Sequence, residues 1–287
     1  MNDYKEERRM TDKIEVIGTG TIVQHGDHNH RIYLMKLHPE DCPGIVEILN
    51  TMAAYHGYSK IFCKVPSWAA PLFLADGYAV EGQIPAFYNK QLTVFFLSKF
   101  VHAERAKISD SAKFNRLSEL LSTNHVEEGK PQKKLKPRIR QFESNDAEAI
   151  VSIYQVVFKS YPFPIHDVNY ILQSMSENVQ YYGIEKKGEI VAIASAEVDP
   201  DGLNAEMTDF ATRPEFRGKS MATYLLKKME KQMKKQGIKC LYTIARLNSM
   251  AMNKTFLKLD YIYSGTLVNN TNISGDIESM NIYYKHI

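Results

Sequence analysis

Cysteine is scarce in this sequence, with only Cys42, Cys63 and Cys240 in 287 residues. The three are far apart, odd in number and not closely paired, so neither a disulfide framework nor a structural metal site is suggested. They read as small buried hydrophobes in a reducing compartment, and no metal is expected. Long apolar runs are also missing. None approaches the roughly 20 residues that cross a bilayer, and the opening MNDYKEERRM has no apolar signal-peptide core. These absences predict a cytoplasmic protein with no membrane partner. Nor does one sign of charge dominate: 36 Lys and Arg face 33 Asp and Glu, an excess too slight to imply nucleic acid. A local anion site stays open. What is present, 44% hydrophobic and 24% charged residues, is an ordinary globular mixture.

Residues 123–137, TNHVEEGKPQKKLKP, carry two prolines, a glycine and six charges against two aliphatic side chains, Val126 and Leu135. Such a stretch supplies little core and reads as a linker. It separates a smaller α/β domain at 1–122 from a second domain at 138–287. Before it, the patterning predicts strands near 14–24 and 31–37, a helix near 41–56, a strand at 59–65, a helix at 67–75 and two strands near 78–97. After it come strand 138–142, a helix from Ser144 or Asn145 to about Lys159, and a helix near 167–177. Strands near 179–186, 189–198 and 203–211 follow, joined by turns at Gly188 and at Asp199-Pro200-Asp201-Gly202. A long helix at 218–236, strand 239–245, a short helix at 249–259 and strands 261–268 and 277–285 complete the chain.

The two halves echo one another at a spacing of 183 residues. FLADGYAVEGQI, from Phe73, aligns with FLKLDYIYSGTL, from Phe256. Upstream, Gly57 and SKIFCKV resemble Gly237 and KCLYTIA. Agreement in the order of elements as well as in residues points to a degenerate repeat of one half-fold.

Met207–Met233 carries the clearest chemistry. Met221, Ala222, Leu225, Leu226, Met229 and Met233 recur at helical spacing, with Lys227, Lys228, Lys231, Lys234 and Lys235 on other faces. A strand ending near Thr212 turns through RPEF and enters this helix at Arg217-Gly218-Lys219-Ser220. The turn aims unpaired backbone N–H groups and the positive end of a helix dipole into one loop, with two cations beside them. It is a pyrophosphate site in which Gly218, and less well Ser220, lets the ligand approach the backbone.

Here the sequence resembles the Gcn5-related N-acetyltransferase (GNAT) superfamily, whose loop Arg/Gln-x-x-Gly-x-Gly/Ala holds the pyrophosphate of acetyl-coenzyme A. The match is Arg217-Gly218-Lys219-Ser220-Met221-Ala222, with serine where the family usually has glycine. The resemblance covers about 138–287. It implies a mixed central sheet with flanking helices of the GNAT type, preceded by a degenerate GNAT-like α/β domain. VVFKSYPFPIHD (156–167), DFATRPEFRGKSMATYLL (209–226) and SGTLVNNTNISGDIESMNIYYK (264–285) resemble, more narrowly, the β-lysine N6-acetyltransferases. That family makes N6-acetyl-β-lysine, a compatible solute. At the equivalent turn the N-terminal half reads HPEDCPGIVEI (38–48), without the coenzyme pattern, and is taken as structural.

The resemblance implies acetyl-coenzyme A as co-substrate, no metal, and a small-molecule amine as acceptor. Glu206 and Asp209 lie where the superfamily often places its base. Their odd spacing puts them on opposite faces of a strand, so one alone faces the substrate, and Glu206 is preferred. A backbone N–H around Phe210, Ala211 and Thr212 stabilises the oxyanion. The family's tyrosine acid corresponds to Phe256, leaving Tyr261, Tyr263 or water to substitute. Asn248 and Asn253 either hold the pantetheine arm or cap a helix. Tyr161 and Phe163, in a proline-stiffened loop, and Asn270, Asn272 and Glu278, in a polar tract near the last hairpin, are the candidates for the acceptor pocket. Another small amine, a protein amino group or a non-catalytic acyl-coenzyme A sensor are the alternatives, and a homodimer is left open.

Overall fold

A computed structural model describes residues 12–108, 111–122 and 137–287. All of the expected linker except residue 137 lies outside them. The chain forms two compact units that are not contiguous in sequence: unit 1 is Met1–Ser109, Ser160–Pro164 and Ser264–Ile282, and unit 2 is Asp110–Lys159, Ile165–Tyr263 and Tyr283–Ile287. The division therefore differs from a single cut at the linker, since a short loop and most of the last hairpin belong with the N-terminal unit.

Unit 1 contains β1 (Lys13–Ile17), β2 (Thr21–Gly26), β3 (Arg31–Lys36), α1 (Ile45–His56), β4 (Lys60–Pro66), α2 (Ala70–Ala75), β5 (Ala79–Tyr88) and β6 (Leu92–Phe100). Its sheet runs β1-β2-β3-β4-β6-β5, and β3 and β4, joined through α1, are parallel while the other pairs are antiparallel. The stretch expected as one strand near 14–24 is a hairpin, broken where Gly18 takes φ +58°. Val23, Ile32, Leu34, Ile61, Cys63 and Val65 share one sheet face and pack with Leu49, Ala53 and Phe73 of the helices. By the two-residue alternation of strands, Gln24, Arg31, Tyr33, Lys60 and Phe62 belong to the opposite face. One side of this sheet is thus an aliphatic core against the helices, and the other is a buried face that mixes polar groups with the rings of Tyr33 and Phe62.

Unit 2 contains α3 (Ser111–Ser122), β7 (Ile139–Gln141), α4 (Ala147–Val157), α5 (Val168–Ser176), β8 (Val179–Lys186), β9 (Glu189–Asp199), β10 (Asn204–Thr212), α6 (Met221–Lys235), β11 (Cys240–Arg246) and α7 (Met250–Lys258). The last hairpin is β12 (Ile262–Ile273) and β13 (Asp276–His286), and the second sheet runs β12-β13-β11-β10-β9-β8-β7. Again one parallel pair, β10 with β11, is joined by a helix. Met221, Leu225, Leu226, Met229 and Met233 of α6 pack on Ala192, Ala194, Ala196, Ala205 and Met207 of the sheet. Helix α3 was not expected from the sequence. Strand β12 extends through the polar tract, so Asn269–Asn272 are strand residues.

The two mixed sheets match the expected fold class, and the echo is visible in backbone detail. Tyr78 N donates to Phe73 O at 3.2 Å and Tyr261 N to Phe256 O at 3.1 Å. Tyr58 N donates to Ala53 O at 2.9 Å and Ile238 N to Met233 O at 3.1 Å. Each helix that joins a parallel pair ends at a left-handed glycine, Gly57 (φ +69°) or Gly237 (φ +83°).

Candidate active site

In unit 2 the strands themselves create an opening. The parallel ladder between β10 and β11 has three rungs, Asn204 with Cys240, Ala205 with Leu241 and Glu206 with Tyr242. Both strands run on, to Thr212 and Arg246, so they part beyond Glu206. Against β9, the register of β10 shifts between Thr208, opposite Ser195, and Ala211, opposite Ile193. Asp209 and Phe210 therefore face the single residue Ala194, a β-bulge, and Asp209 takes φ +54°. Bulge and splay together expose backbone N–H groups at the C-terminal end of β10 that an undisturbed ladder would have consumed.

The bulge corrects the expectation for the two carboxylates. Alternation places Glu206 and Thr208 on one face, opposite Glu197 and Ser195 of β9. Ser195 Oγ donates to Asp209 Oδ2 at 2.7 Å, so the extra residue turns Asp209 onto the same face as Glu206. Burial, reinforced by the charges of Asp209 and Glu197, pushes the Tyr181 phenol well above its ordinary pKa. Its hydroxyl lies 2.9 Å from Ser174 Oγ. This sheet face is a polar patch with carboxylates and neutral hydroxyls.

The turn into α6 is exposed from Arg217 to Ser220. The first helical hydrogen bond runs from Tyr224 N to Ser220 O at 3.2 Å, so the amides of Met221, Ala222 and Thr223 precede the ladder. Gly218 has φ +75°, and a Cβ there would meet nothing within 4 Å; the glycine serves the backbone conformation, and the chain around it is open. Ser220, the N-cap, has φ +56° and ψ +26°, which accounts for glycine in the family pattern. Arg217 Nε donates to Thr212 O at 3.3 Å and Lys219 Nζ to Glu215 O at 3.0 Å, tying both cations to the rim of the turn. A diphosphate fits this donor set: accessible amides, a helix dipole and two exposed cations.

Residues 148–261 match the model of the acetyltransferase (GNAT) family. The chain is similar to a β-lysine N(6)-acetyltransferase of Methanococcus maripaludis, 42% identical over 268 residues that cover 92% of this chain and 96% of the relative. A second β-lysine N(6)-acetyltransferase, of Methanosarcina mazei, is 43% identical over 48% of this chain and 51% of its own length. N-acetyltransferase YodP of Bacillus subtilis is 28% identical over 97% of this chain and all of the relative. The chain belongs to the GNAT family of N-acetyltransferases.

Two residues proposed for this GNAT site are held elsewhere. Asn253 is fully buried; its Nδ2 donates to Arg246 O and Ser249 O at 3.0 and 2.8 Å, and its Oδ1 accepts from Tyr283 Oη at 2.8 Å. It fastens the start of α7 and is not placed to hold a pantetheine arm, whereas Asn248 is exposed. Tyr261 is 2% exposed, packs on Phe256 with ring centres 5.2 Å apart, and lies under Lys285 Nζ. Burial and the charge of Glu230 push its phenol far above the ordinary range. Glu230 stands nine residues along α6 from Met221, about 13 Å at 1.5 Å per residue. Tyr261 is thus a core residue remote from the coenzyme turn and a poor acid. Phe256 packs edge-on to Phe210 at 5.7 Å, so the family's tyrosine position borders the bulge without a hydroxyl.

The acceptor candidates Tyr161, Phe163, Asn270, Asn272 and Glu278 all fall in unit 1. Gln24 Nε2 donates to Pro162 O at 2.8 Å, and Asn272 Nδ2 to His28 O at 2.9 Å. Asn270 and Glu278 are buried. Sequence reasoning missed Gln24, Arg31, Lys60 and Arg105, all buried in this unit. The available signal was an ionic residue heading an otherwise apolar strand, as in RIYLM and KIFCKV.

Proposed function

We infer that this GNAT enzyme transfers the acetyl group of acetyl-coenzyme A to the N6 amine of β-lysine in the cytoplasm. The observation that carries the reading is the 42% identity, over nearly the full length of both chains, to the Methanococcus β-lysine N(6)-acetyltransferase. The open turn at the start of α6 supports the choice of donor.

Acetyl-coenzyme A supplies the acetyl thioester when bound. The amides from Gly218 to Ala222, with Arg217 and Lys219, would hold its diphosphate, and Ser220 contributes its N–H despite its side chain. An amide of the bulged segment Phe210–Thr212 donates to the oxygen on which negative charge develops. The acceptor amine, with a pKa near ~10.4, must lose a proton first, at a cost of roughly 4–5 kcal/mol at neutral pH. Glu206 takes that proton in this proposal. It sits at the last rung before β10 and β11 part, at the vertex of the opening. Asp209 accepts from Ser195 Oγ on one oxygen and from Thr208 Oγ1 on the other and acts as a positioning residue that holds the bulge. Direct attack by the amine needs no side-chain nucleophile if amine and thioester are aligned; as the C–N bond forms the C–S bond breaks, and the coenzyme leaves as a thiolate that takes its proton from water.

The test is turnover by purified protein with acetyl-coenzyme A and a panel of β-lysine, lysine, 1,5-diaminopentane and lysine-bearing peptides. The expected result is the highest kcat/KM for β-lysine, with acetyl on N6 by NMR. Preference for the peptides would overturn the acceptor, and acetylation of the β-amine would overturn the position.

A further inference from the structure

Unit 1 buries three cationic side chains close to one another. Arg31, Lys60 and Arg105 are 3%, 0% and 8% exposed. Lys60 is answered by Glu81 at 2.8 Å, with Val268 O accepting a second bond at 2.7 Å. Arg105 donates to the carbonyls of Asn269 and Asn29 and to Ser59 Oγ, and to no carboxylate among the described residues. Asp12, also buried, is the acid acting on Arg31, but its carboxylate accepts from Asn29 N and Nδ2 at 3.3 and 2.6 Å. Among the described residues, the acids acting on Arg31 and Lys60 are Asp12 and Glu81, and the interaction acting on Arg105 is the like charge of Arg31.

Arg31 is the one of the three with a buried donor left over among the described residues. Its Nη1 donates to Asn270 O at 2.5 Å and Thr271 Oγ1 at 3.1 Å, and its plane lies 5.5 and 5.7 Å from the ring centres of Tyr33 and Phe62. Its buried Nε has no hydrogen-bond partner among the described residues. Burial lowers its pKa to about 10, which leaves it charged at neutral pH. On the neighbouring strand and the same face, Gln24 is opposite Tyr33, one diagonal step from Arg31. Gln24 Oε1, Asn270 Oδ1 and Asn272 Oδ1 are likewise buried and unpartnered among the described residues. The bonds from Gln24 Nε2 to Pro162 O and from Asn272 Nδ2 to His28 O fix which amide atom is which. One cationic donor edge beside oxygen acceptors complements a carboxylate next to an ammonium.

We propose that this face of unit 1 binds the amino-carboxylate end of a small amino acid, with the Nε edge of Arg31 on the carboxylate and the Gln24 and Asn272 oxygens on the ammonium. The choice of an amino acid over another carboxylate rests on the acceptor inferred above; the anion site itself does not. The ligand is either the acceptor or a second molecule of the same chemistry.

The experiment is calorimetric titration of the full chain, without coenzyme, using β-lysine, β-alanine and 1,5-diaminopentane. Wild type should bind β-lysine and β-alanine and bind the carboxylate-free diamine at least tenfold more weakly. Arg31→Lys, which keeps the charge and removes the planar fork, should lose at least tenfold for both carboxylates and leave the diamine unchanged. Equal wild-type affinity for β-lysine and diaminopentane would overturn the proposal without any variant having to fold. So would a folded Arg31→Lys protein with undiminished β-alanine affinity. If KM for β-lysine rises in step with Kd, the ligand is the acceptor. If KM is unchanged while β-alanine binding is lost, it is a second molecule. Arg31-dependent β-alanine binding by a protein that acetylates no β-lysine would keep the site and discard the acceptor.

Discussion

The two half-folds keep their charges at opposite ends of the same ladder. The first rung of the parallel pair is Arg31 beside Lys60 in unit 1 and Asn204 beside Cys240 in unit 2. At the far end, where the first strand turns toward its helix, unit 1 has His38-Pro39-Glu40-Asp41-Cys42-Pro43 and unit 2 has Arg213-Pro214-Glu215-Phe216-Arg217-Gly218. In unit 1 the Asp41 carboxylate accepts from Thr19 N at 2.6 Å and Thr21 Oγ1 at 2.5 Å, bonds that hold its pKa far below the ordinary carboxylate range. An anion of the chain itself occupies that end. The ladder also differs: β3 runs only two residues past its last rung at Leu34, whereas β10 runs six past Glu206. A repeated framework therefore needs two local changes, a bare cationic turn and a splayed pair, to present a coenzyme site. Unit 1 has neither.

This contrast supports the proposal that acetyl transfer belongs to unit 2, and the largest predicted effect tests it. Glu206→Gln should lower kcat by about 10²–10⁴, the usual worth of a general base, and flatten the rise of rate with pH. A full wild-type pH profile would place deprotonation elsewhere.

The next effect is on stability and belongs to unit 1. Glu81→Gln strands Lys60 in the interior and should destabilise by about 3–5 kcal/mol, the range for breaking a buried pair from one side. In unit 2 the Lys285–Glu230 pair, 3.3 Å long and about a fifth exposed, should yield about 1 kcal/mol or less on Glu230→Gln. Urea unfolding curves for the two variants would compare them directly, and similar losses would erase the distinction between the units.

The legibility of the sequence follows the same division. Elements defined by local spacing were readable: the α6 stripe from Met221 to Met233, the turns at Gly188 and Gly202, and the Arg217–Ala222 loop. Helix α3 was overlooked even though Phe114, Leu117, Leu120 and Leu121 carry helical spacing. Asp209 was assigned to the wrong face because alternation presumes an unbroken ladder, and nothing in TDFAT announces the extra residue. The polar interior of unit 1 was illegible for a deeper reason. Arg31 and Lys60 are ordinary surface residues by type, and their burial depends on Val268–Asn272, more than 200 positions away.

A smaller effect separates the two turns. Gly218→Val should raise KM for the coenzyme at least tenfold and leave acceptor KM nearly unchanged. The cause would be backbone strain at φ +75°, since the site has space for a side chain. Unchanged coenzyme kinetics would show that the diphosphate is held elsewhere.

The smallest effect concerns the cap itself, where the half-folds have distributed glycine against need. Gly44 caps α1 at φ −60°, which any residue adopts, while Ser220 caps α6 at φ +56°. Left-handed backbone costs a residue with a Cβ about 1–2 kcal/mol, so Ser220→Gly relieves strain in the folded state. The freer unfolded chain of the glycine variant offsets part of that gain. The net change in stability should be under about 1 kcal/mol, with KM for acetyl-coenzyme A falling no more than about threefold. Ser220→Ala removes the hydroxyl and keeps the strain, so it should match wild type. If both variants bound coenzyme equally worse, the hydroxyl would be a ligand to the coenzyme and serine a substitution with a function of its own. If glycine alone improved binding, serine is a tolerated departure, and the amides of this turn are what the second half-fold contributes to its coenzyme.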